Sequence, residues 1–247
     1  MSQVIAELAR MLAEFDIVDL SPTLERGIPR WPTHPHLVID PTVTHEHDGY
    51  YCQSISMAEH TGAHVDAPAH TVPQRMDDTV DTLPIDALIG PAVVYDFSDR
   101  DLGPGDLLTA EDFLKWERQH GERVGAGEIA LIHFGWMKYW RTDGGWTFYA
   151  NNEPGLDESA VKLLANRRVK AVGADTIAVD KGMKDGKSSP DWGHRKYWLP
   201  EGILIVEMLA NLDRLPPRCW FIALPLKIKN GSGSPIRPIA LVPRKGR

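Results

Sequence analysis

The sequence predicts a mixed α/β fold carried by one domain over residues 1–247, and three observations lead there. Short apolar runs of strand length recur from residue 16 to residue 226 and alternate irregularly with only a few helical stretches. Neither a GxGxxG nor a Walker pattern occurs, so a doubly wound nucleotide-binding sheet has no support. No stretch has the composition of a linker, and 247 residues can bury one sizeable core.

Over residues 1–15, Ile5, Leu8, Leu12 and Phe15 alternate with Glu7, Arg10 and Glu14. That spacing predicts an amphipathic helix, a packing or dimerisation arm, and lacks the charged-then-apolar layout of a signal peptide. Residues 16–20 read as a short strand running into Ser21-Pro22 and a proline-rich loop that holds Trp31-Pro32. Residues 50–58 have strand alternation and lead into a histidine-rich segment. Pro68, Pro73 and Pro84 then keep the chain out of long helix. A strand is predicted over 91–97, and a helix opens at Thr109-Ala-Glu-Asp112, which reads as a capping box. Next come a strand over 128–134 and an aromatic insertion over 136–149 with Trp136, Trp140, Trp146 and Tyr149. A helix over 156–164, a strand over 169–175 and a glycine-, proline- and serine-containing loop over 181–194 follow. Strands over 203–209 and 220–226 precede a glycine–serine turn at 230–234.

Composition narrows the function. A net charge of -7 leaves no electrostatic footprint for nucleic acid or an anionic membrane. The longest apolar runs fall well short of the ~20 residues of a membrane span. Cys52 and Cys219 are too few for a disulfide framework, and both read as buried thiols of a cytoplasmic protein.

The chemistry concentrates near residue 65. Three of the ten histidines, with an aspartate, fall in the segment His60-Thr-Gly-Ala-His64-Val-Asp66-Ala-Pro-Ala-His70. Gly62 and Pro68 exclude a regular helix. In an extended chain His64 and Asp66 share a face, and a turn at Gly62 can bring His60 beside them. Two imidazoles and a carboxylate converging on a point suit Zn²⁺, Mn²⁺ or Fe²⁺ and leave positions for water. His70 lies at the rim, where a group with an ordinary pKa near ~6.5 can exchange protons with that water. Glu207 sits in an apolar strand, where an ionised carboxylate must be paired or bound to metal. His194, at the end of the polar loop, stands equally well inside the site or beside it. Asp175 and Asp180 flank Thr-Ile-Ala-Val and read first as solvated loop positions, with carboxylates that support the site from behind as the alternative. Ser-His-Asp hydrolysis has no GxSxG elbow to rest on, and nothing near Cys52 argues for a thiolate. A structural zinc would be closed by four cysteine or histidine ligands, so an acid-rich cluster argues for an open site.

The His60–His70 segment resembles the signature of the metal-dependent cyclase superfamily, which includes bacterial kynurenine formamidase and isatin hydrolase. Val18-Asp-Leu-Ser-Pro22, Trp31-Pro32, His194, Glu207 and Leu224-Pro-Leu-Lys227 extend the resemblance over most of the chain. It implies a swivelling β/β/α-type fold, a homodimer and one or two divalent ions, zinc or manganese. It implies that His60, His64 and Asp66 are metal ligands, that Glu207 is a ligand or bridge, and that His70 is the general acid/base. His194 becomes a ligand of a second ion or a hydrogen-bond partner of the nucleophile, and Trp31 packs on the ring of an aromatic small-molecule substrate. The activity implied is hydrolysis of a small aryl or cyclic amide, either an isatin-like lactam or an N-formylkynurenine-like formamide. A lactone hydrolase and a catalytically silent binding protein are the alternatives. The insertion at 136–149 resembles the isatin hydrolase branch, whereas Ala63 and a carboxylate at 207 resemble the formamidases.

Overall fold

The structure is a computed structural model and describes residues 2–244. One mixed sheet is built from β1 (Phe15–Asp19), β2 (His64–Asp66), β3 (Ile89–Asp96), β4 (Ile129–His133), β5 (Ala171–Ala174), β6 (Leu204–Glu207), β7 (Arg218–Ile222), β8 (Gly233–Pro235) and β9 (Ile239–Pro243). The strand order is β1-β9-β7-β3-β4-β5-β6-β2-β8. The central four, β3 to β6, run parallel. Antiparallel strands extend the sheet on both sides. Central parallel strands are covered on both faces, which is why β4 and β6 are apolar at nearly every position.

Two cores result. Val93, Tyr95, Ile132, Val172 and Ile205 face a helical layer that contributes Phe113, Trp116, Val161 and Leu164. Val94, Leu131 and Val206 face the other way and join Val65, Phe221 and Ala240. Strands far apart in the sheet order therefore share one cluster, so the sheet curls around it.

The helices are α1 (Gln3–Leu12), α2 (Ala110–His120), α3 (Trp146–Asn151) and α4 (Glu158–Asn166), with a four-residue helical turn at His45–Asp48. The capping box forms at α2: the Thr109 side chain accepts from the Asp112 amide, and the Asp112 carboxylate accepts from the Thr109 amide at 2.7 Å. α1 is amphipathic as its spacing predicts, yet none of its residues is buried. Val4, Ile5, Leu8, Met11 and Leu12 all face solvent.

Several expectations shift. The strand expected over 50–58 is Cys52–Ser56, and it pairs only with Val38–Val43 in a two-stranded ribbon outside the main sheet. That ribbon is largely exposed, with Tyr50, Tyr51 and Ile55 in solvent, and Cys52 is exposed as well, against the expectation of a buried thiol. Cys219 is buried, and burial pushes its thiol up to about 12. The aromatic insertion folds as a 3₁₀ turn at Trp136–Tyr139 followed by α3. The polar loop carries a short hairpin, Met183–Lys184 with Lys187–Ser188, and ends in a π-helical turn, Gly193–Tyr197. Among the described residues, no helix is long and apolar enough to cross a membrane.

Candidate metal centre

The site lies at the carboxyl end of β6, beside the chain leaving the carboxyl end of β5. An open α/β sheet leaves its binding crevice there. Glu207 closes β6 and pairs in register with His64 on β2, while Asp66 pairs with Ile205. Alternation puts His64, Asp66 and Glu207 on the face opposite Val65 and Val206, which belong to the curled core. Gly62 has φ +62°, and its turn returns His60 to Asp66. The same turn lets the carbonyl of Gly62 accept from His64 Nδ1 at 2.8 Å, which turns His64 Nε2 towards the carboxylates.

Asp66 is the hub. It is fully buried, and its Oδ1 accepts from His60 Nδ1 at 2.6 Å and lies 3.5 Å from His64 Nε2. Its Oδ2 has no hydrogen-bond partner and sits 3.4 Å from His194 Nε2. Glu207 reaches both sides as well, with Oε2 3.3 Å from His64 Nε2 and Oε1 3.5 Å from His194 Nε2. His70 packs against His60 with ring centroids 4.0 Å apart and the rings tilted by 35°. Two groups of donors thus lie within 4.8 Å of one another, His60, His64 and Asp66, then Asp66, His70 and His194.

Electrostatics favours ionised carboxylates facing imidazoles. Burial pushes the Asp66 carboxyl up, but the surrounding His60, His194 and His64 hold it well below the usual carboxylate range. For Glu207, burial and the charge of Asp66 push upward, and bonds to His194 and His64 bring it below its ordinary value. His70 behaves oppositely. Burial, opposed by Asp66 and Glu207 and aided by His60 and His194, lowers it to about 4.

A divalent cation fits these residues. The donor set is nitrogen and carboxylate oxygen, and a buried Asp66 oxygen lacks any partner, a rare condition in a folded protein. His64 and His194 are each held through Nδ1, which leaves Nε2 free to bind.

Of the two readings the sequence leaves for Asp180, the structure supports the carboxylate behind the site and corrects the solvated loop position. Asp180 is fully buried, its Oδ2 accepts from the amides of Gly193 at 2.6 Å and His194 at 3.0 Å, and its Oδ1 accepts from His194 Nδ1 at 2.6 Å. Asp175 is buried too and accepts from the amides of Phe134 and Trp136 at 2.8 and 2.6 Å. The segment between them is pinned from a third side. Glu153, which the sequence reading passed over, accepts from the amides of Ile177 and Ala178 at 2.7 and 3.1 Å. An acid bordering the apolar run Ile177-Ala-Val179 was the available signal for Asp180; for Glu153 there was none.

A cavity of about 260 Å³ opens over the cluster, lined by His60, His64, His70, His194 and Glu207. Trp31 is on its wall, whereas Trp136 and Tyr149 are core residues with no share in it. His34, also missed, joins the lining; its Nδ1 is buried without a hydrogen-bond partner, and its ring centroid is 5.8 Å from that of His60.

Comparison with known proteins identifies the family and the fold. Residues 18–181 match the family model described as a putative cyclase. The isatin hydrolase of Roseibium aggregatum is 36% identical over 197 residues, 76% of this chain and 73% of that protein. A kynurenine formamidase from Salinibacter ruber is 27% identical, covering 90% of this chain and 96% of its own. The crystal structure of an isatin hydrolase bound to the product analogue thioisatinate superposes with a TM-score of 0.82 at 31% identity, covering 99% of this chain and all 100% of that one.

Proposed function

The chain belongs to the cyclase family, and from that premise we propose that it is a metal-dependent hydrolase of small cyclic or aryl amides, acting first on an isatin-like lactam. The observation that carries this reading is the buried Asp66, whose unpartnered Oδ2 and paired Oδ1 stand among His60, His64 and His194. The 36% identity to an isatin hydrolase favours the lactam over the formamide.

His60, His64 and Asp66 would hold the ion, with Glu207 and His194 in reach. When bound, such an ion polarises the scissile carbonyl and acidifies water, zinc and manganese both being suited to the donors. The protein's own groups do the rest. His70, kept neutral by burial, takes a proton from the attacking water and delivers it to the leaving nitrogen. Asp180 fixes the tautomer and ring orientation of His194. Trp31 offers a flat apolar face to the substrate ring.

A two-ion site is the second reading, and one observation favours it. Asp66 and Glu207 each turn one oxygen to the His64 side and the other to His194, so a second ion, if bound, would have carboxylate oxygens from both residues in reach. The whole chain acts as one domain, resides in the cytoplasm and pairs as a homodimer through the exposed apolar stripe of α1, which light scattering would test.

The deciding experiment assays isatin, N-formylkynurenine and a dienelactone side by side, using protein stripped of metal and reloaded with Zn²⁺ or Mn²⁺. The proposal expects metal-dependent ring opening of isatin to be fastest. Fastest turnover of the lactone would reassign the bond, and no turnover of any would leave a silent binding protein.

A further inference from the structure

Lys181 stands on the wall of the same cavity and has no role in the chemistry above. Its side chain is 16% exposed, with Nζ 4.8 Å from the centre of the Trp31 ring and 3.8 Å from Asp191 Oδ2. That last distance is beyond hydrogen-bond reach, and the ammonium makes no hydrogen bond with any described residue. Asp191 is engaged elsewhere, since the same oxygen accepts from Arg195 Nε at 2.8 Å. Lys181, Asp191 and Arg195 all line the cavity, and two cations against one anion leave that rim positive. Two buried acids, Asp180 and Glu153, lie within range of the Lys181 charge, and Asp180 is already bound to the amides of Gly193 and His194 and to the His194 ring. Burial, with Glu207 nearby, pushes the Glu153 carboxyl well above the usual carboxylate range.

An ammonium has three donors and no acceptor capacity, and here none of the three is used. A substrate ring that stacks on this face of Trp31 displaces the ammonium from it. A carboxylate on that ring gives the displaced ammonium a charge-assisted partner, whereas a neutral ring gives it nothing. We propose that Lys181 binds a carboxylate carried by the aromatic ring of the substrate, so that among substrates sharing the same scissile bond an acidic ring is preferred to a neutral one. The inference rests on the amide-hydrolase reading for its substrate, but not for its anion.

N-formylanthranilate and formanilide test it, because they share the scissile formamide and the ring and differ by one carboxylate. The proposal expects Lys181→Met to lower the ratio of kcat/KM for the acidic substrate over the neutral one by about tenfold, as loss of a hydrogen bond to a charged group does. Lys181→Arg should restore most of the ratio. A ratio within about twofold of the starting protein in Lys181→Met overturns the proposal. Calorimetric titration with anthranilate reads binding without turnover. If neither formamide is hydrolysed, the formamide part of the amide reading fails separately while the lactam part does not, and the titration still decides for Lys181. About tenfold weaker binding of anthranilate to Lys181→Met supports the anion site, and equal binding refutes it.

Discussion

Replacing Gly233 by alanine drives a methyl group into the ring of His60. The added Cβ would lie 2.4 Å from His60 Cε1 and 2.8 Å from each ring nitrogen. Carbon atoms in ordinary contact sit about 3.5 Å apart, so the ring or the strand must give way by roughly 1 Å. The strand resists, because Gly233 pairs with Asp66 and is tied down by the Ala67 amide donating to Ser232 O at 2.9 Å and the Ile236 amide donating to Ala63 O at 2.9 Å. The ring is the softer partner, and moving it breaks its bond to Asp66. A displacement of that size exceeds the ~0.5 Å within which a site keeps its productive geometry. Misplacement by about 1 Å costs roughly 100-fold in rate, equivalent to about 2.7 kcal/mol of barrier. The expected result is therefore kcat/KM down by roughly 100-fold and metal affinity down by about 10- to 100-fold. Overpacking should cost only about 1–3 kcal/mol of stability, too little to explain the loss if the melting transition stays cooperative. Gly144→Ala is the control, since a Cβ there meets nothing within 4 Å. Chelator competition measures the affinity, and initial rates measure turnover. Wild-type affinity with activity within about threefold would refute the claim that His60 is a ligand held in place by the glycine beneath it.

Two further predictions concern the proton and the second imidazole. His70→Ala should lose about 10²- to 10⁴-fold in kcat while metal content is unchanged, and loss of metal instead would make His70 a ligand. Its imidazole is pushed down to about 4, so the base form persists below the ordinary histidine range and activity should hold near its plateau down to about pH 5. A nearby divalent charge acts in the same direction, and a pH–rate profile falling with an apparent pKa near ~6.5 would contradict the assignment. Asp180→Asn removes the carboxylate that orients His194 and should cost about 10- to 100-fold in metal affinity or rate. Unchanged values in metal titrations and initial-rate assays would show that His194 stands outside the working site.

The parts of this site that were legible in the sequence are those set by local geometry. His64 and Asp66 share a face because a strand alternates with period two, and they do so in β2. Gly62 marks its own turn, and Glu207 declares itself as a charge among apolar neighbours. Asp180 and Glu153 are different. Their burial comes from packing the 175–180 segment against residues near 153 and 193, and a loop aspartate looks the same in sequence whether covered or solvated. The tryptophans divide for the same reason: Trp31 borders the cavity while Trp136 disappears into the helical core, and apart from the resemblance that singles out Trp31 only the topology separates them. Likewise, the alternation at 50–58 announces a strand without naming its partner, which is the Val38–Val43 strand and not the main sheet.

An anomalous-difference map from a crystal grown with Mn²⁺ or Zn²⁺ would test the metal centre most directly. A peak is predicted within about 2.0–2.3 Å of one nitrogen each from His60 and His64 and one oxygen of Asp66. No peak between these side chains, in a crystal whose ion is elsewhere or absent, would contradict the assignment of this cluster.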